Sequence, residues 1–402
     1  MVKLPNKGLD RYEFYEKLIV YEKESHFHEY NKNVYCEGPH ITSSESLPWA
    51  DEVRHLVAEA RTRFMHGLSW HADGALRMEK EVVSMVGGFL GNEDAVGNIT
   101  TGGSESNACA LLTALSRADK RGSVVFPKHA HYSFYKFCRM FGLEPIPVEP
   151  MQGTTCEVDI DTMRKAVRDD TVAIIGTAGT WPYGTIDPIE EIGEIAEEKD
   201  LYFHVDACFG GFILPFLEKG GYYRTGEIPK WDFRVKSVSS ISADLHKNGH
   251  VPPPASSLIY RDEELLDYAK MIAPPNGCFT GTRAASSFAA SWAMLNLLGL
   301  DGYIAISRRS MELKEAMEQG VMKIPGLNVT PNSKINLTLA YSDEYNLDPV
   351  MGEMRRNGWT FGTNANPPGI VLCVYPQNDG QVEPFIADLE RSMRLAKSNR
   401  KT

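Results

Sequence analysis

The sequence predicts an α/β protein in which a mainly parallel sheet is covered by helices on both faces. Short β-rich runs alternate with helical stretches through the middle of the chain, and this alternation is typical of parallel sheets with helical crossovers. The length of 402 residues, with 43% apolar and 24% charged residues, fits a globular chain with one large and one smaller domain. The predicted strands cover residues 122–126, 172–176, 201–205, 237–242 and 256–260.

Helical patterns precede and separate these strands. We predict that residues 1–50 form an irregular arm with a short helix near Tyr12–Tyr21. The next clear helix runs from about Leu76 to Leu90, where apolar residues recur on one face and Gly91 ends the pattern. A further helix occupies about Ile189–Lys199, between two predicted strands.

A domain boundary is predicted near residue 300. A helix from about Arg283 to Leu298 has one apolar face, and Gly299 is a suitable C-terminal cap. We therefore assign residues 51–300 to a large domain and residues 301–402 to a small α/β domain. The small domain has the order helix, strand, strand, helix, strand, helix, with strands at 327–329, 335–341 and 370–375.

Composition and charge exclude several functional classes. The net charge of −11 disfavours nucleic-acid binding, which needs clustered basic residues. No apolar run approaches the ~20 residues of a membrane span, and the polar N-terminus lacks a signal-peptide core. We therefore expect a cytoplasmic protein without a membrane partner. The seven cysteines form no C-x-x-C pair, which indicates reduced thiols. The pairs His26/His28 and His129/His131 lack further ligands nearby, so no metal site is expected.

A glycine-rich turn before a helical pattern is the first candidate binding site. It reads Thr-Thr-Gly-Gly-Ser-Glu-Ser-Asn at residues 100–107, and apolar residues then recur at helical spacing. Gly102 and Gly103 allow backbone N–H groups to approach an anion closely, and Ser104 is a suitable N-cap. The positive end of the helix dipole would suit a phosphate group. Taken alone, however, such a turn more often does no more than cap a helix.

Two further side chains follow predicted strands. His131 lies in a loop after the first strand, where a flat imidazole could stack on an aromatic ring or make an ordinary loop hydrogen bond. Asp206 ends the 201–205 strand and precedes Ala207 and Cys208. A buried carboxylate needs a partner, and an arginine, a metal ion or a protonated pyridine nitrogen would serve.

Lys247 changes the interpretation of the whole set. It follows the 237–242 strand, directly after His246. Burial favours the neutral, nucleophilic form of a lysine amine, which can form a Schiff base. A phosphate site, a stacking histidine, a strand-end acid and a strand-end lysine match the needs of pyridoxal phosphate. Because ligands bind beyond the carboxyl ends of parallel strands, we expect these side chains to converge.

These motifs make the chain resemble the group II decarboxylase superfamily of fold-type I pyridoxal phosphate enzymes. It is most similar to the sphingosine-1-phosphate lyase branch, with archaeal tyrosine/aspartate decarboxylases nearby. The resemblance covers about residues 65–390, and its most specific segments are 204–213, 232–236 and 240–247. It implies the fold of pyridoxal phosphate-dependent transferases, with a mainly parallel, seven-stranded sheet in the large domain.

The resemblance also implies roles for individual residues. Lys247 would carry the cofactor as a Schiff base, Asp206 would pair with the pyridine nitrogen, and His131 would stack on the ring. The residues implied for the phosphate and the ring surroundings are Gly102, Gly103, Ser104, His246, Thr177 and Ala178. Gly281 and Thr282 would reach the phosphate bound by the partner subunit, which implies a homodimer.

Two departures from the family pattern leave the proton donor open. Lys247 is followed by Asn-Gly-His, where the lyase branch has Tyr-Gly-Tyr. The loop between Tyr268 and Gly281 contains Phe279 but no tyrosine, although decarboxylases often place a catalytic tyrosine there. His250 and Tyr183 are therefore the candidate proton donors.

The sequence narrows the set of possible reactions but does not select one. Residues 360–369 contain no arginine to hold a substrate carboxylate, which weakens transamination. Decarboxylation of an amino acid or a derivative is the leading hypothesis, and aldehyde-lyase cleavage of a phosphorylated or hydroxylated amine is the alternative. A silent binding subunit with this fold is less favoured, because Lys247, Asp206 and His131 are all present. A nicotinamide dehydrogenase is disfavoured too, because the turn lacks the required glycine pattern.

Overall fold

The computed structural model describes residues 10–24, 32, 34, 41, 43–45, 47–67, 73–151, 156, 158–363 and 365–396. His26 and His28 lie outside these residues. The helices are α1 (Arg11–Glu24), α2 (Ala50–Arg63), α3 (Asp73–Phe89), α4 (Gly103–Ala118), α5 (Ser133–Phe141), α6 (Ile160–Ala166), α7 (Ile189–Glu198), α8 (Leu214–Lys219), α9 (Glu263–Ile272), α10 (Ala285–Met322), α11 (Asp348–Arg356) and α12 (Val382–Ala396). The strands are β1 (Val96–Thr100), β2 (Ser123–Pro127), β3 (Glu144–Val148), β4 (Thr171–Thr177), β5 (Tyr202–Asp206), β6 (Ser240–Ala243), β7 (Ser256–Tyr260), β8 (Asn328–Val329), β9 (Leu337–Tyr341) and β10 (Gly369–Cys373).

The central sheet has seven strands in the order β1-β7-β6-β5-β4-β2-β3. The five strands from β6 to β3 run parallel, and β7 is antiparallel to both of its neighbours. Successive residues of β4 enter different cores, Ile174 on one face and Ile175 on the other, so both faces of the sheet are covered. The predicted mainly parallel, seven-stranded α/β sheet is confirmed.

The two edge strands, β1 and β3, escaped the sequence prediction. β1 contains Gly97 and Asn98, and β3 contains Pro145 and Pro147, all of which are unfavourable in strands. Both lie at an edge of the sheet, where a residue without a backbone N–H group is tolerated. Position in the sheet, which the local sequence does not encode, decides their conformation.

Gly299 interrupts the long helix α10. Its dihedral angles, φ 57° and ψ −169°, are non-helical, and helix continues on both sides of it. The predicted helix end at Leu298 therefore corresponds to a kink. Among the described residues, α10 alone is long and apolar enough to cross a membrane, but half of the relevant window is buried inside the protein, as in a core helix.

The C-terminal part forms a second, antiparallel sheet in the order β10-β9-β8. It packs with α11, α12 and the second half of α10 around a separate apolar core that includes Met317, Trp359, Leu372 and Phe385. The predicted order of helices and strands in this region is confirmed.

Candidate active site

A cavity of about 290 Å³ lies at the carboxyl ends of the central strands. The register pairs Thr177 of β4 with Asp206 of β5, and Asp206 with Ser242 of β6, so that three strand ends meet there. The predicted site residues that line this cavity are Gly102, Gly103, Ser104, His131, Thr177, Asp206, His246 and Lys247. Cys208, which follows Asp206, lines it as well.

The amino end of α4 forms one wall of the cavity. The helix begins at Gly103 with Gly102 as its cap, so Ser104 lies in the first turn and is not the N-cap that the sequence predicted. A Cβ atom on Gly103 would lie 2.4 Å from Cys208 Sγ and 3.0 Å from both carboxylate oxygens of Asp244. Only glycine fits at this position, which lets Cys208 and Asp244 pack closely against the amino end of the helix.

Asp206 lies at the bottom of the cavity with only 4% of its surface exposed. One carboxylate oxygen accepts a hydrogen bond from Asn107 Nδ2 at 2.9 Å, and the other accepts from the backbone N–H of Cys208 at 3.1 Å. Burial by itself would raise the pKa of Asp206, but hydrogen bonding by Cys208 helps to lower it below its ordinary value overall. The carboxylate is therefore charged at neutral pH and suited to a cationic partner.

Asn107 and His204 complete this environment, and the sequence analysis assigned neither a role. His204 Nε2 lies 3.1 Å from Asn107 Oδ1, and His204 Nδ1 lies 2.8 Å from Ser240 Oγ. Burial lowers the pKa of His204 to about 4, despite the opposing charge of Asp206. The alternation of residues along β5 puts His204 on the same face as Asp206, and this two-residue spacing was the available signal.

His131 presents an uncharged ring to the cavity. Its Nδ1 accepts a hydrogen bond from the backbone N–H of Ser133 at 3.3 Å and lies 2.9 Å from Ser133 Oγ. Burial lowers the pKa of His131, and the nearby Asp206 only partly offsets this effect. A neutral, flat imidazole is suited to stacking on an aromatic cofactor ring.

Lys247 extends into the cavity from the loop after β6. Its Nζ lies 2.7 Å from Asp244 Oδ2 and 4.1 Å from the centre of the Phe209 ring. The side chain is 18% exposed, so the amine is less deeply buried than the sequence analysis expected. Burial opposes ionisation of Asp244, but Lys247 and His246 lower its pKa well below the ordinary range. Asp244 is thus a fixed negative charge that orients the amine.

The two candidate proton donors have different surroundings. Tyr183 lines an open cleft of about 1020 Å³ that adjoins Lys247, and its hydroxyl donates to the carbonyl of Asn366 at 2.6 Å. His250 lines neither the cavity nor the cleft. It is 1% exposed, and its ring packs edge-on against Tyr375. The structure therefore does not place His250 where the sequence analysis expected it.

Two other predicted contacts differ from expectation. Ala178 is fully buried, its N–H group donates to the carbonyl of Asp206, and Gly179 lines the cavity in its place. Gly281 and Thr282 are exposed and line neither space beside Lys247. Residues that contact a partner subunit are expected to be exposed in this way when a single chain is considered.

Buried acidic residues hold the loop that carries Gly281 and Thr282. Glu105 of α4 accepts hydrogen bonds from the backbone N–H and the hydroxyl of Thr280, and the former measures 2.7 Å. Arg283 forms a buried ion pair with Glu79, in which Nη2 lies 3.0 Å from Oε2. The loop is thereby fixed to α3 and α4 on either side of its exposed residues.

The cavity fits pyridoxal phosphate. The amino end of α4 suits the phosphate, Asp206 suits the ring nitrogen, and Lys247 can bond to the aldehyde carbon. Thr177 lines the cavity, and its buried Oγ1 has no hydrogen-bond partner among the residues described, which leaves a polar atom at the cavity wall to be satisfied. The described residues contain no cluster of side chains able to hold a metal ion.

Comparison with known proteins is consistent with this geometry. The family model described as "Pyridoxal-dependent decarboxylase conserved domain" matches residues 66–276. A probable L-aspartate decarboxylase of Thermococcus gammatolerans is 32% identical over 400 residues, which cover 97% of this chain and 99% of the relative. A probable L-tyrosine/L-aspartate decarboxylase of Methanothermobacter thermautotrophicus is 32% identical over 79% of this chain and 87% of its own length. The solved sphingosine-1-phosphate lyase of Burkholderia pseudomallei superposes with a TM-score of 0.88 at 29% identity, covering 99% of this chain and 94% of that one.

Proposed function

This chain belongs to the pyridoxal-dependent decarboxylase family, and from that premise we propose that it removes the α-carboxyl group of an amino acid or a close derivative. It is a pyridoxal phosphate-dependent carbon–carbon lyase. In the proposed reaction the Cα–carboxylate bond breaks, CO₂ leaves, and a proton takes its place on Cα to give the amine. When bound, the cofactor accepts the electron pair that the broken bond leaves on Cα.

The observation that carries the proposal is that Lys247 and a charged, buried Asp206 line the same cavity. Asp206 would hold the ring nitrogen in its protonated form, which makes the ring a better acceptor of electrons. Asp244 would hold Lys247 in position before the cofactor binds and after it is released. His131 would cover one face of the ring and exclude water from it.

Proton supply to Cα needs a group close to Lys247 that carries a proton at neutral pH. Tyr183 lines the cleft beside Lys247, although its hydroxyl already donates to Asn366. Burial raises the pKa of Tyr183, so the phenol keeps its proton at neutral pH. We therefore retain Tyr183 as the candidate donor, and we no longer propose His250.

Aldehyde-lyase cleavage is the second candidate reaction. The high structural similarity to a sphingosine-1-phosphate lyase supports it. In that reaction the Cα–Cβ bond of a phosphorylated or hydroxylated amine would break, a hydroxyl on Cβ would lose its proton to give the aldehyde, and a proton would be added to Cα to give the remaining amine.

We also propose that the protein is a cytoplasmic homodimer. The six described cysteines are free and buried, which suits a reducing compartment. Helix α1 exposes large apolar side chains of the kind that a partner subunit would cover, and these are Tyr12, Phe14, Tyr15, Leu18, Ile19, Val20 and Tyr21. Light scattering of the purified protein tests the dimer, and cell fractionation tests the location.

One experiment separates the two reactions. Purified protein loaded with pyridoxal phosphate is incubated with a panel of amino acids and hydroxylated or phosphorylated amines, and CO₂ and free aldehyde are measured in parallel. We expect CO₂ and the matching amine in equal amounts. Aldehyde without CO₂ would overturn the decarboxylase proposal in favour of the lyase. If the protein did not bind added pyridoxal phosphate, the result would instead support a catalytically silent binding subunit.

A further inference from the structure

The open cleft beside Lys247 has mostly aromatic and apolar walls. The rings and prolines that line it include Tyr132, Trp181, Pro182, Tyr183, Phe209 and Phe361. Tyr132 is 68% exposed and lies at 4.2 Å, centre to centre, from the ring of His131. A substrate side chain that extends from the cofactor into this cleft therefore meets rings on several sides.

The lysine and the histidines that line the cleft each have a partner among the described residues. Lys247 is paired with Asp244, and His246 Nε2 lies 3.5 Å from the same carboxylate. The third, His129, has its Nε2 at 2.9 Å from the buried carboxylate of Asp187. His131 accepts hydrogen bonds at Nδ1, and burial lowers its pKa. No arginine and no second lysine belong to the described lining of the cleft.

Trp181 is the central element of these walls, because it lines both the cavity and the cleft. Its ring is stacked on Phe209, with centres 5.4 Å apart and planes inclined by 23°. On another side it packs against Gly362, where an added Cβ would lie 3.0 Å from Cζ2 and 3.1 Å from Cη2 of the indole. Because Gly362 has no side chain, the indole fits between Phe209 and Gly362. These two contacts hold the indole in one orientation.

We propose that the cleft selects amino acids with a neutral aromatic side chain over those with an acidic one, and that Trp181 is the specificity-determining residue. This inference rests on the proposed function, because it concerns the substrate of the same site. A side-chain carboxylate would enter a cleft whose described lysine and histidines already have partners, whereas a flat ring would stack on the fixed indole. The preference would separate this chain from relatives named as L-aspartate decarboxylases.

The first test compares tyrosine and phenylalanine with aspartate and glutamate on the cofactor-loaded protein. From the cost of desolvating an unpaired carboxylate, we expect kcat/KM to favour the aromatic pair by at least about 100-fold. Equal or faster use of aspartate would overturn the inference and leave decarboxylation itself intact. Binding of each amino acid is also followed by the change in cofactor absorbance, so the ranking is obtained even if no CO₂ is released. Tighter binding of aspartate than tyrosine would also overturn it.

Variants of two cleft residues extend the test. Trp181→Leu should lower kcat/KM for phenylalanine relative to leucine by about tenfold, the value of one aromatic contact, and Trp181→Phe should restore most of that loss. Thr363 lines the cleft and is half-buried, so Thr363→Arg places a cation there, with Thr363→Gln as a control of similar length. We expect the arginine variant alone to shift the substrate preference toward aspartate. If Trp181→Leu left the phenylalanine-to-leucine ratio unchanged, Trp181 would not determine specificity.

Discussion

Replacement of Asp206 by asparagine is the sharpest perturbation of the cofactor site. It keeps the volume of the side chain nearly constant and removes its charge. Both oxygens of Asp206 accept hydrogen bonds, from Asn107 Nδ2 at 2.9 Å and from the Cys208 N–H at 3.1 Å. The new amide nitrogen must therefore face one of these two donors. One buried donor loses its acceptor, at a cost of about 1–3 kcal/mol in the free energy of unfolding.

The effect on cofactor binding follows from the lost charge. A hydrogen bond to a charged group contributes about 1.5–3 kcal/mol, so the affinity for pyridoxal phosphate should fall about 10- to 150-fold. At saturating cofactor, kcat should fall by at least the same factor, because the ring nitrogen would lose the anion that we propose keeps it protonated. Absorbance titration measures the affinity, and CO₂ release measures kcat.

Asp232→Asn is a matched control. Asp232 is also a buried carboxylate, and it lies 2.8 Å from Arg234 Nε, outside the cavity. Its replacement should lower the free energy of unfolding and leave cofactor affinity and kcat at their wild-type values. The reasoning would be refuted if Asp206→Asn bound cofactor and turned over substrate like the wild type, or if both variants lost activity to the same extent.

Three further predictions concern the lysine, a buried ion pair and acid stability. The Schiff base proposed between Lys247 and pyridoxal phosphate should absorb near the edge of the visible range. Lys247→Ala should abolish both this absorption band and CO₂ release, whereas Lys236→Ala should preserve both. Arg283→Met should lower the free energy of unfolding in urea by about 3–5 kcal/mol, because the buried Glu79 loses its cationic partner. Recovery of stability in the double variant Glu79→Leu/Arg283→Met would support this explanation, and no recovery would oppose it. His204 is buried in its neutral form with a pKa of about 4, below its unfolded value of 6.5, so its stabilising effect is complete above pH 6.5 and is lost as the pH falls toward 4. The loss should reach about 3 kcal/mol, and His204→Gln should show a flatter dependence of unfolding free energy on pH.

The cofactor-binding half of the site could be predicted from sequence because each part is local. Asp206 and Lys247 follow apolar strands, and parallel strands bring their carboxyl ends to one edge of a sheet. The amino end of α4 is marked by its glycines. The strands that Asp206 and Lys247 follow are neighbours in the sheet, and the structure brings these groups into one cavity.

The remaining parts depend on contacts between distant segments. His250 follows Lys247 closely in sequence, but its backbone has φ 60°, and its ring packs against Tyr375, 125 residues further along the chain. Trp181 becomes a cleft wall only because Gly362, in the C-terminal part, leaves room for it. No local pattern reports either arrangement, which is why the proton donor and the substrate pocket could not be read from the sequence.

The hydrogen bonds around Asp206 show how one charge sets the state of the site. An ionised carboxylate only accepts, so the amide of Asn107 must turn its nitrogen toward Asp206 and its oxygen toward His204 Nε2, which then carries the proton. The second hydrogen of the same amide is directed to Ser133 Oγ at 3.1 Å, which leaves the Ser133 hydroxyl to donate to His131 Nδ1. The proton of the neutral His131 ring is therefore on Nε2. The charge on Asp206 thus sets the orientation of the Asn107 amide and, through Ser133, the tautomer of the ring proposed to cover the cofactor.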